Sequence, residues 1–162
     1  MKDTKQSSPR RKNTPGKLRS GNILVLILGI ILVLLDQVLK FYFTKHSYYS
    51  TFFSLHLVKN TGMSFGLMQG KVIIMIIVSF LFLGMLWRFR NEFKDCKYLL
   101  MLLAAGTVGN LIDRIFRGYV VDFLDLGWFP VFNLADAMIT AGTIGLIYVF
   151  IAESISAKTK LT

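Results

Sequence analysis

The sequence predicts a mainly α-helical membrane protein with four transmembrane helices and a small sheet on the extracytoplasmic side. Hydrophobic residues make up 54% of the 162 residues and charged residues only 17%, and the mean hydropathy is +0.56. A soluble domain of this length is less apolar. The net charge is +10, but the basic residues cluster between apolar runs instead of covering a polar face. This pattern is typical of membrane topology and argues against a nucleic-acid partner.

The first span follows a basic start and resembles the apolar part of a secretory signal peptide. Residues 23–35 carry no charge, but D-Q-V-L-K follows in place of a small-residue cleavage motif. We therefore predict a retained membrane helix. With three further apolar runs of near-spanning length, the predicted spans are about 22–43, 70–88, 97–116 and 134–153.

The distribution of Lys and Arg predicts the orientation. Of the 19 basic residues, 13 lie before the first span, around the connection between the second and third spans, or after the fourth. Such segments face the cytoplasm, so both termini are predicted there. Residues 1–22 are predicted to be a disordered basic tail, 23–153 the membrane domain, and 154–162 a second cytoplasmic tail. Residues 44–70 and 116–133 then face outward.

The first outward segment has the composition of short strands. Residues 48–58 are rich in aromatic and β-branched side chains, and N-T-G-M-S-F-G at 60–66 supplies a turn with two glycines. A small sheet on the membrane surface is the predicted result. Cys96 is the single cysteine, and His46 and His56 lack ligand spacing, so no metal site is expected.

Several polar residues lie near the outer ends of the first and third spans. Asp36 and Lys40 are four residues apart and share a helix face, which predicts an ion pair. We favour a structural role for this pair over a direct chemical one, because charges within membranes usually neutralise each other. Asn110 and Asp113 share a face of the third span, and Arg114 follows them.

Asp122 and Asp136 are the strongest candidates for chemistry. Taken singly, Asp122 could be a solvated loop residue and Asp136 a charge favoured by a helix N-terminus. However, Asp36, Asp113, Asp122 and Asp136 share one predicted depth, near the outer surface. Only 13 residues separate Asp122 from Asp136, so the two can meet. Two carboxylates in a partly dry site share a proton, and one can activate water while the other acts as general acid, as in aspartic proteases.

Taken in order, these motifs resemble those of lipoprotein signal peptidase, also called signal peptidase II. The resemblance runs from about residue 23 to 152, and each motif is weak alone but the ordered set is specific. The matching blocks are D-Q-V-L-K at 36–40, N-T-G-M-S-F-G at 60–66, G-N-L-I-D-R at 109–114, V-V-D-F-L-D at 120–125 and F-N-L-A-D at 132–136.

The resemblance implies a membrane aspartic endopeptidase of the bacterial cytoplasmic membrane, with four helices and an outer β-cradle. Its substrates would be diacylglyceryl-modified prolipoproteins, cut just before the lipidated cysteine near the extracytoplasmic face. It would contact membrane lipid and use no metal or organic cofactor. The catalytic aspartates would be Asp122 and Asp136. Substrate-binding or site-stabilising roles would fall to Asp36, Lys40, Asn60, Gly62, Asn110, Asp113, Arg114, Asn133 and Ala135.

Two other classes of protein use some of these features. A proton-coupled transporter also places acids in membranes, but it would spread them through the bilayer depth, whereas the second to fourth spans have charge-free cores. A membrane scaffold protein would need no paired acids. Loss of cleavage after substitution of either aspartate would separate the peptidase from both alternatives.

Overall fold

A computed structural model describes residues 20–62 and 70–159. The predicted disorder of the basic tail falls almost entirely outside these residues, as do Ser64 and Gly66 of the predicted turn. Four α-helices are described: α1 (Ser20–Phe43), α2 (Val72–Phe89), α3 (Lys97–Arg117) and α4 (Leu134–Thr159). A short 3-10 helix, Lys94–Cys96, precedes α3.

Within the described part of the chain, four helical segments are long and apolar enough to cross a membrane. The mainly helical fold with four candidate membrane helices, as predicted from the sequence, is therefore confirmed. The orientation of the termini remains a prediction. Large apolar side chains such as Leu26, Ile31, Ile73 and Phe150 are more than half exposed. Helix faces of this kind suit contact with lipid rather than water.

Helix α3 is the central helix of the bundle. It contacts α1, α2 and α4. In its most apolar stretch of 18 residues, 44% of the residues are buried, against 6% in the corresponding stretch of α1. Glycine makes these contacts close, because a Cβ added at Gly106 would lie 2.4 Å from the carbonyl oxygen of Ala135. Small residues allow helix backbones to approach in this way. The side chains on the facing surfaces of α3 and α4 are thus held close to one another.

A three-stranded antiparallel sheet joins the two connections at one end of the bundle. Its strands are β1 (Tyr48–Tyr49), β2 (Ser54–Asn60) and β3 (Val120–Asp125), in that order. The small predicted sheet is present, and its third strand comes from the connection between α3 and α4. Gly118 ends α3 with φ 74°, a conformation that suits glycine. The chain then turns directly into β3.

The segment between β3 and α4 folds back on β3 as a tight loop. Asp125 Oδ1 accepts a hydrogen bond of 2.8 Å from the backbone N–H of Gly127, which has φ 76°. Phe132 then pairs with Leu124 in an antiparallel bridge. This return brings residue 133 beside the middle of β3 and sets the start of α4 against the sheet.

Candidate active site

Asp122 lies on β3 and is held by two amide side chains. Asn60 Nδ2 donates to Asp122 Oδ2 at 2.9 Å, and Asn133 Nδ2 donates to Oδ1 at 2.6 Å. Asn60 pairs with Val120 in the β2–β3 register, and Val58 pairs with Asp122. Asn60 and Asp122 are therefore diagonal neighbours on one face of the sheet, within reach of a side-chain hydrogen bond. The sheet register positions this contact.

Asp136 is the third residue of α4 and takes part in a reciprocal cap. The backbone N–H of Asp136 donates to Asn133 Oδ1 at 2.9 Å, and Asp136 Oδ2 accepts from the Asn133 backbone N–H at 3.3 Å. This is the geometry of a capping box. The alternative interpretation of Asp136 as a carboxylate at a helix N-terminus is thus correct for Oδ2. It does not account for the contact of Oδ1.

The other Asp136 oxygen connects to Asp122 through amides. Asn110 Nδ2 on α3 donates to Asp136 Oδ1 at 2.8 Å, and Asn110 Oδ1 accepts from Asn133 Nδ2 at 3.1 Å. Asn133 in turn binds Asp122. Asn133 is fully buried and Asn110 is 5% exposed. Two neutral side chains therefore hold the carboxylates in fixed positions relative to each other.

Both carboxylates line one cavity of about 570 Å³. Its other walls come from the loop that includes Phe129 and Pro130 and from the first turns of α4. Asp122 is 2% exposed. Burial, followed by the nearby charge of Asp136, raises the pKa of Asp122 to about 7. At neutral pH this carboxyl therefore exists in both protonated and ionised forms.

A second cluster next to this cavity is fully ion-paired. Lys40 Nζ lies 2.8 Å from Asp36 Oδ2, 3.0 Å from Asp113 Oδ2 and 3.0 Å from Asn110 Oδ1. Lys40, Asp36 and Asp113 are all 0% exposed. The ion pair predicted from the four-residue spacing is thus present, and it includes a second acid. All three ammonium donors have acceptors, as burial of a charge requires.

Asp36 also anchors the start of α4. Its Oδ1 accepts a hydrogen bond of 2.9 Å from the backbone N–H of Ala135, which is fully buried. A Cβ added at Gly109 would lie 2.6 Å from Asp36 Oδ2. Glycine at this position lets α1 and α3 approach closely enough for the contact. The ion-paired cluster therefore fixes the helix that carries Asp136.

Gly62 and Arg114 complete the predicted set at the edge of the site. The Gly62 backbone N–H donates to Asn60 Oδ1 at 3.0 Å, and Arg114 Nη2 donates to the Gly62 carbonyl oxygen at 3.4 Å. The charge of Arg114 interacts with those of Asp122 and Asp136. Every residue named from the sequence as a site candidate thus belongs to one connected network. Their roles in catalysis remain proposals.

Two polar side chains of the network were not predicted. Gln37 donates to the Gly109 carbonyl oxygen at 3.0 Å and accepts from Arg117 Nη1 at 3.1 Å, and Arg117 also pairs with Asp113. Arg117 stands four residues after Asp113, so helical spacing could have identified that pair. Gln37 lies inside the D-Q-V-L-K block, but nothing in its spacing pointed to Gly109, 72 residues away.

Four of the described helices are long enough to span a membrane, and acids are buried where the sheet covers one end of the helix bundle. These features define a class of multi-pass membrane protein. The family described as Signal peptidase (SPase) II matches residues 28–152. The chain belongs to the signal peptidase II family, whose members cleave signal peptides from lipoproteins. The predictions of a peptidase, of lipoprotein processing and of a multi-pass bacterial membrane protein are confirmed at this level.

Relatives and solved structures agree with this assignment. A protein of Dehalococcoides mccartyi named lipoprotein signal peptidase is 39% identical over 136 residues, covering 75% of this chain and 85% of the relative. One of Clostridium novyi with the same name is 31% identical over 147 residues, covering 81% and 97%. A solved bacterial membrane enzyme has a TM-score of 0.74 at 29% identity, covering 85% of this chain and 91% of that one.

Proposed function

We propose that the protein is an aspartic endopeptidase that cuts diacylglyceryl-modified prolipoproteins just before the lipidated cysteine, with Asp122 and Asp136 as catalytic residues. One observation carries the proposal. Both carboxylates line one cavity and are held by amides, and among residues 20–62 and 70–159 neither has an ion-pair partner within 4.0 Å. A buried acid such as Asp122, which is 2% exposed, is rarely without a cation unless it functions.

The pair works with one proton between its two carboxyl groups. Burial and the neighbouring charge raise the pKa of Asp122 to about 7, so one group can be protonated while the other is ionised. The titration belongs to the pair because the groups interact. The ionised carboxylate acts as general base toward water, and the protonated one acts as general acid toward the peptide carbonyl oxygen.

In the first chemical step, water held between the carboxylates attacks the scissile carbonyl carbon. Its proton passes to the ionised aspartate, and the other aspartate protonates the carbonyl oxygen, which gives a neutral tetrahedral diol. Collapse then breaks the C–N bond. A proton moves to the departing cysteine nitrogen, and the new carboxyl group leaves with the signal peptide. Arg114, whose charge interacts with both aspartates, stabilises charge that develops on the oxygen.

The cavity suits a peptide held at the membrane surface. Along α4 its wall includes Ala137, Ala141 and Ile144, and the loop wall includes Phe129 and Val131. These apolar surfaces continue from the carboxylates along a helix of spanning length. A signal helix can therefore lie against α4 while the acyl chains on the cysteine stay in lipid. The distribution of Lys and Arg predicts that this end lies on the extracytoplasmic side.

The decisive experiment is a cleavage assay on protein purified in detergent. Asp122→Asn and Asp136→Asn should each reduce the cleavage rate of a diacylglyceryl prolipoprotein by at least about 10³-fold, since the amide can neither accept nor supply the proton. Asp125→Asn is the matched control. Asp125 lies on the same strand but bonds to Gly127 and faces His56 at 3.9 Å.

The proposal predicts near-normal cleavage by Asp125→Asn and no cleavage of a substrate without the diacylglyceryl group. Near-normal cleavage by either Asp122→Asn or Asp136→Asn would rule out the aspartate pair. Equal cleavage of lipidated and unlipidated substrates would rule out the proposed specificity while leaving the pair intact. The two parts of the proposal are thus tested separately.

A further inference from the structure

A second and larger groove lies between α1, α2 and α3, away from the aspartates. It has a volume of about 990 Å³, and its walls along the helices are apolar, including Val25, Ile30, Leu83 and Val108. The groove that holds Asp122 and Asp136 shares no lining residue with it among the described residues. The two grooves are therefore separate surfaces with different chemistry.

Basic side chains surround one end of this larger groove. Arg90, Lys94 and Lys97 line it together with Trp87. The Arg90 guanidinium stacks on the Trp87 ring at 3.9 Å and donates to its carbonyl oxygen at 2.6 Å. The Lys97 ammonium lies so near Gly21 that a Cβ there would be 3.0 Å from Nζ. Two of the cations are thus positioned by contacts at the mouth.

No acidic side chain lines this groove among the described residues. Of the two acids in the same connection, Glu92 pairs with Arg88 at 3.8 Å and Asp95 does not line the groove. The first turn of α1 contains no acid. The helix dipole adds positive potential at that N-terminus. The mouth is therefore complementary to an anion, whereas the rest of the groove is complementary to hydrocarbon.

The length of the groove matches one leaflet. On α1 the lining residues run from Asn22 to Leu34, a rise of about 18 Å at 1.5 Å per residue. Half of the hydrocarbon core is about 15 Å thick. An acyl chain with its headgroup among Arg90, Lys94 and Lys97 would thus extend along the groove to about the bilayer midplane.

We infer that this groove binds an anionic phospholipid of the leaflet that surrounds the termini, with the phosphate among Arg90, Lys94 and Lys97 and an acyl chain along α1 and α3. A substrate signal peptide is a poorer occupant, because its basic n-region would meet these cations. Bound lipid would fill the space between α1, α2 and α3 and hold α2 to the bundle. The inference does not depend on the proposed catalytic pair.

Trp87 provides a direct probe, since Trp87 and Trp128 are the two tryptophans of the chain. The full chain with Trp128→Phe is placed in phosphatidylcholine nanodiscs that contain a small fraction of dibrominated lipid, which quenches nearby indole. We expect brominated phosphatidylglycerol to reach half-maximal quenching at about tenfold lower fraction than brominated phosphatidylcholine, since each basic residue near the headgroup adds attraction.

Two variants separate a bound lipid from diffuse surface charge. Replacing Arg90, Lys94 and Lys97 together by Gln should abolish the preference, and Ala104→Leu, which narrows the groove without changing charge, should weaken it severalfold. Arg88→Gln is the charge control, because Arg88 is 74% exposed and faces Glu92; it should keep the preference. Retention of the preference in the triple variant, or in Ala104→Leu, would overturn the inference.

Other occupants give different results in the same assay. If residues 1–19 covered the groove, the full chain would show equal quenching by both lipids, and deletion of residues 2–19 would create the preference. If the substrate occupied it, an unlipidated signal peptide would displace the brominated lipid at the concentration at which it binds the protein. Either result would refute a resident anionic lipid.

Discussion

The two acid clusters of this protein lie side by side but are neutralised in different ways. Asp36 and Asp113 share the ammonium of Lys40 at 2.8 and 3.0 Å. Asp122 and Asp136 are held by neutral amides, at 2.6 to 2.9 Å for their side-chain contacts. The first pair of acids has its charge compensated within the protein. The second pair has hydrogen-bond donors but no ion-paired cation among the described residues.

This difference supports the proposed division into structural and catalytic acids. An acid with a cation and full hydrogen bonding has its charge compensated and its side chain fixed, which suits a supporting role. An acid held by amides keeps its position but can change protonation, which general acid–base catalysis requires. Asn110 touches both clusters, through Lys40 and through Asp136. The ion-paired cluster can thus hold the proposed catalytic pair in place without neutralising it.

Removal of the shared cation should have the largest effect on stability. Lys40→Met leaves the buried Asp36 without a cation and Asp113 with Arg117 alone, and it should lower the free energy of unfolding by about 3–5 kcal/mol. Denaturant titration in detergent micelles measures this. Lys45→Met is the control, because Lys45 is exposed and its ammonium lies over the Phe41 ring at 4.6 Å. Equal, small losses in both variants would show that the cluster does not support the fold.

Separating the helices that hold the cluster should have the next largest effect. In Gly109→Ala the new methyl group would lie 2.6 Å from Asp36 Oδ2, and the resulting shift should cost about 1–3 kcal/mol of unfolding free energy. Gly84→Ala on α2 is the matched control, since nothing lies within 4 Å of its Cβ position. That change should stabilise the helix by about 0.5–1 kcal/mol. Opposite signs in the two glycine variants are the expected result.

More of the fold and of the ion-paired cluster could be predicted from the sequence than of the amide contacts to Asp122 and Asp136. Apolar runs predicted the four helices because each run is local in sequence, and a spacing of four predicted the Asp36–Lys40 pair. The Asn60–Asp122 contact depends on the β2–β3 register, which shifts between Leu55 and Val58, and no local pattern encodes such a shift. Long-range contacts of this kind need the assembled fold.

Removal of the uncompensated charge should stabilise the protein, and the gain should depend on pH. The folded-state pKa of Asp122 is raised from 3.8 to about 7, so its contribution to stability is present below pH 3.8 and is lost as pH rises through 7. The Asp122→Asn variant has no carboxyl group at this position, so its stability does not fall in this way as pH rises. Relative to wild type, the variant should therefore gain about 2–3 kcal/mol of unfolding free energy between pH 5 and pH 8.

Asp125→Asn is the control in the same experiment, because Asp125 lies on the same strand but does not line the cavity. An unchanged difference between Asp122→Asn and wild type from pH 5 to pH 8 would mean that Asp122 does not titrate in this range. It would also mean that the proposed proton sharing needs another donor. Stability and activity would then have to be explained separately.

The smallest expected effect concerns the amide that faces Asp122 across the sheet. Asn60 Nδ2 donates to the carboxylate at 2.9 Å, and this bond lowers the pKa of Asp122 against the larger effect of burial. Asn60→Ala should therefore raise that pKa further. Cleavage that needs one ionised carboxylate and one protonated carboxyl falls at high pH, when the proton is lost. The alkaline limb of the pH–rate profile should thus move to higher pH by about one unit or less.

The neighbouring Thr61→Ala is a suitable control for Asn60→Ala, because Thr61 is exposed and adds no charge. Its pH–rate profile should match that of wild type. A shift of the alkaline limb to lower pH in Asn60→Ala would mean that Asn60 stabilises the protonated form of the pair. In that case the amides would tune the reactive acids in the opposite direction from the cation that neutralises Asp36 and Asp113.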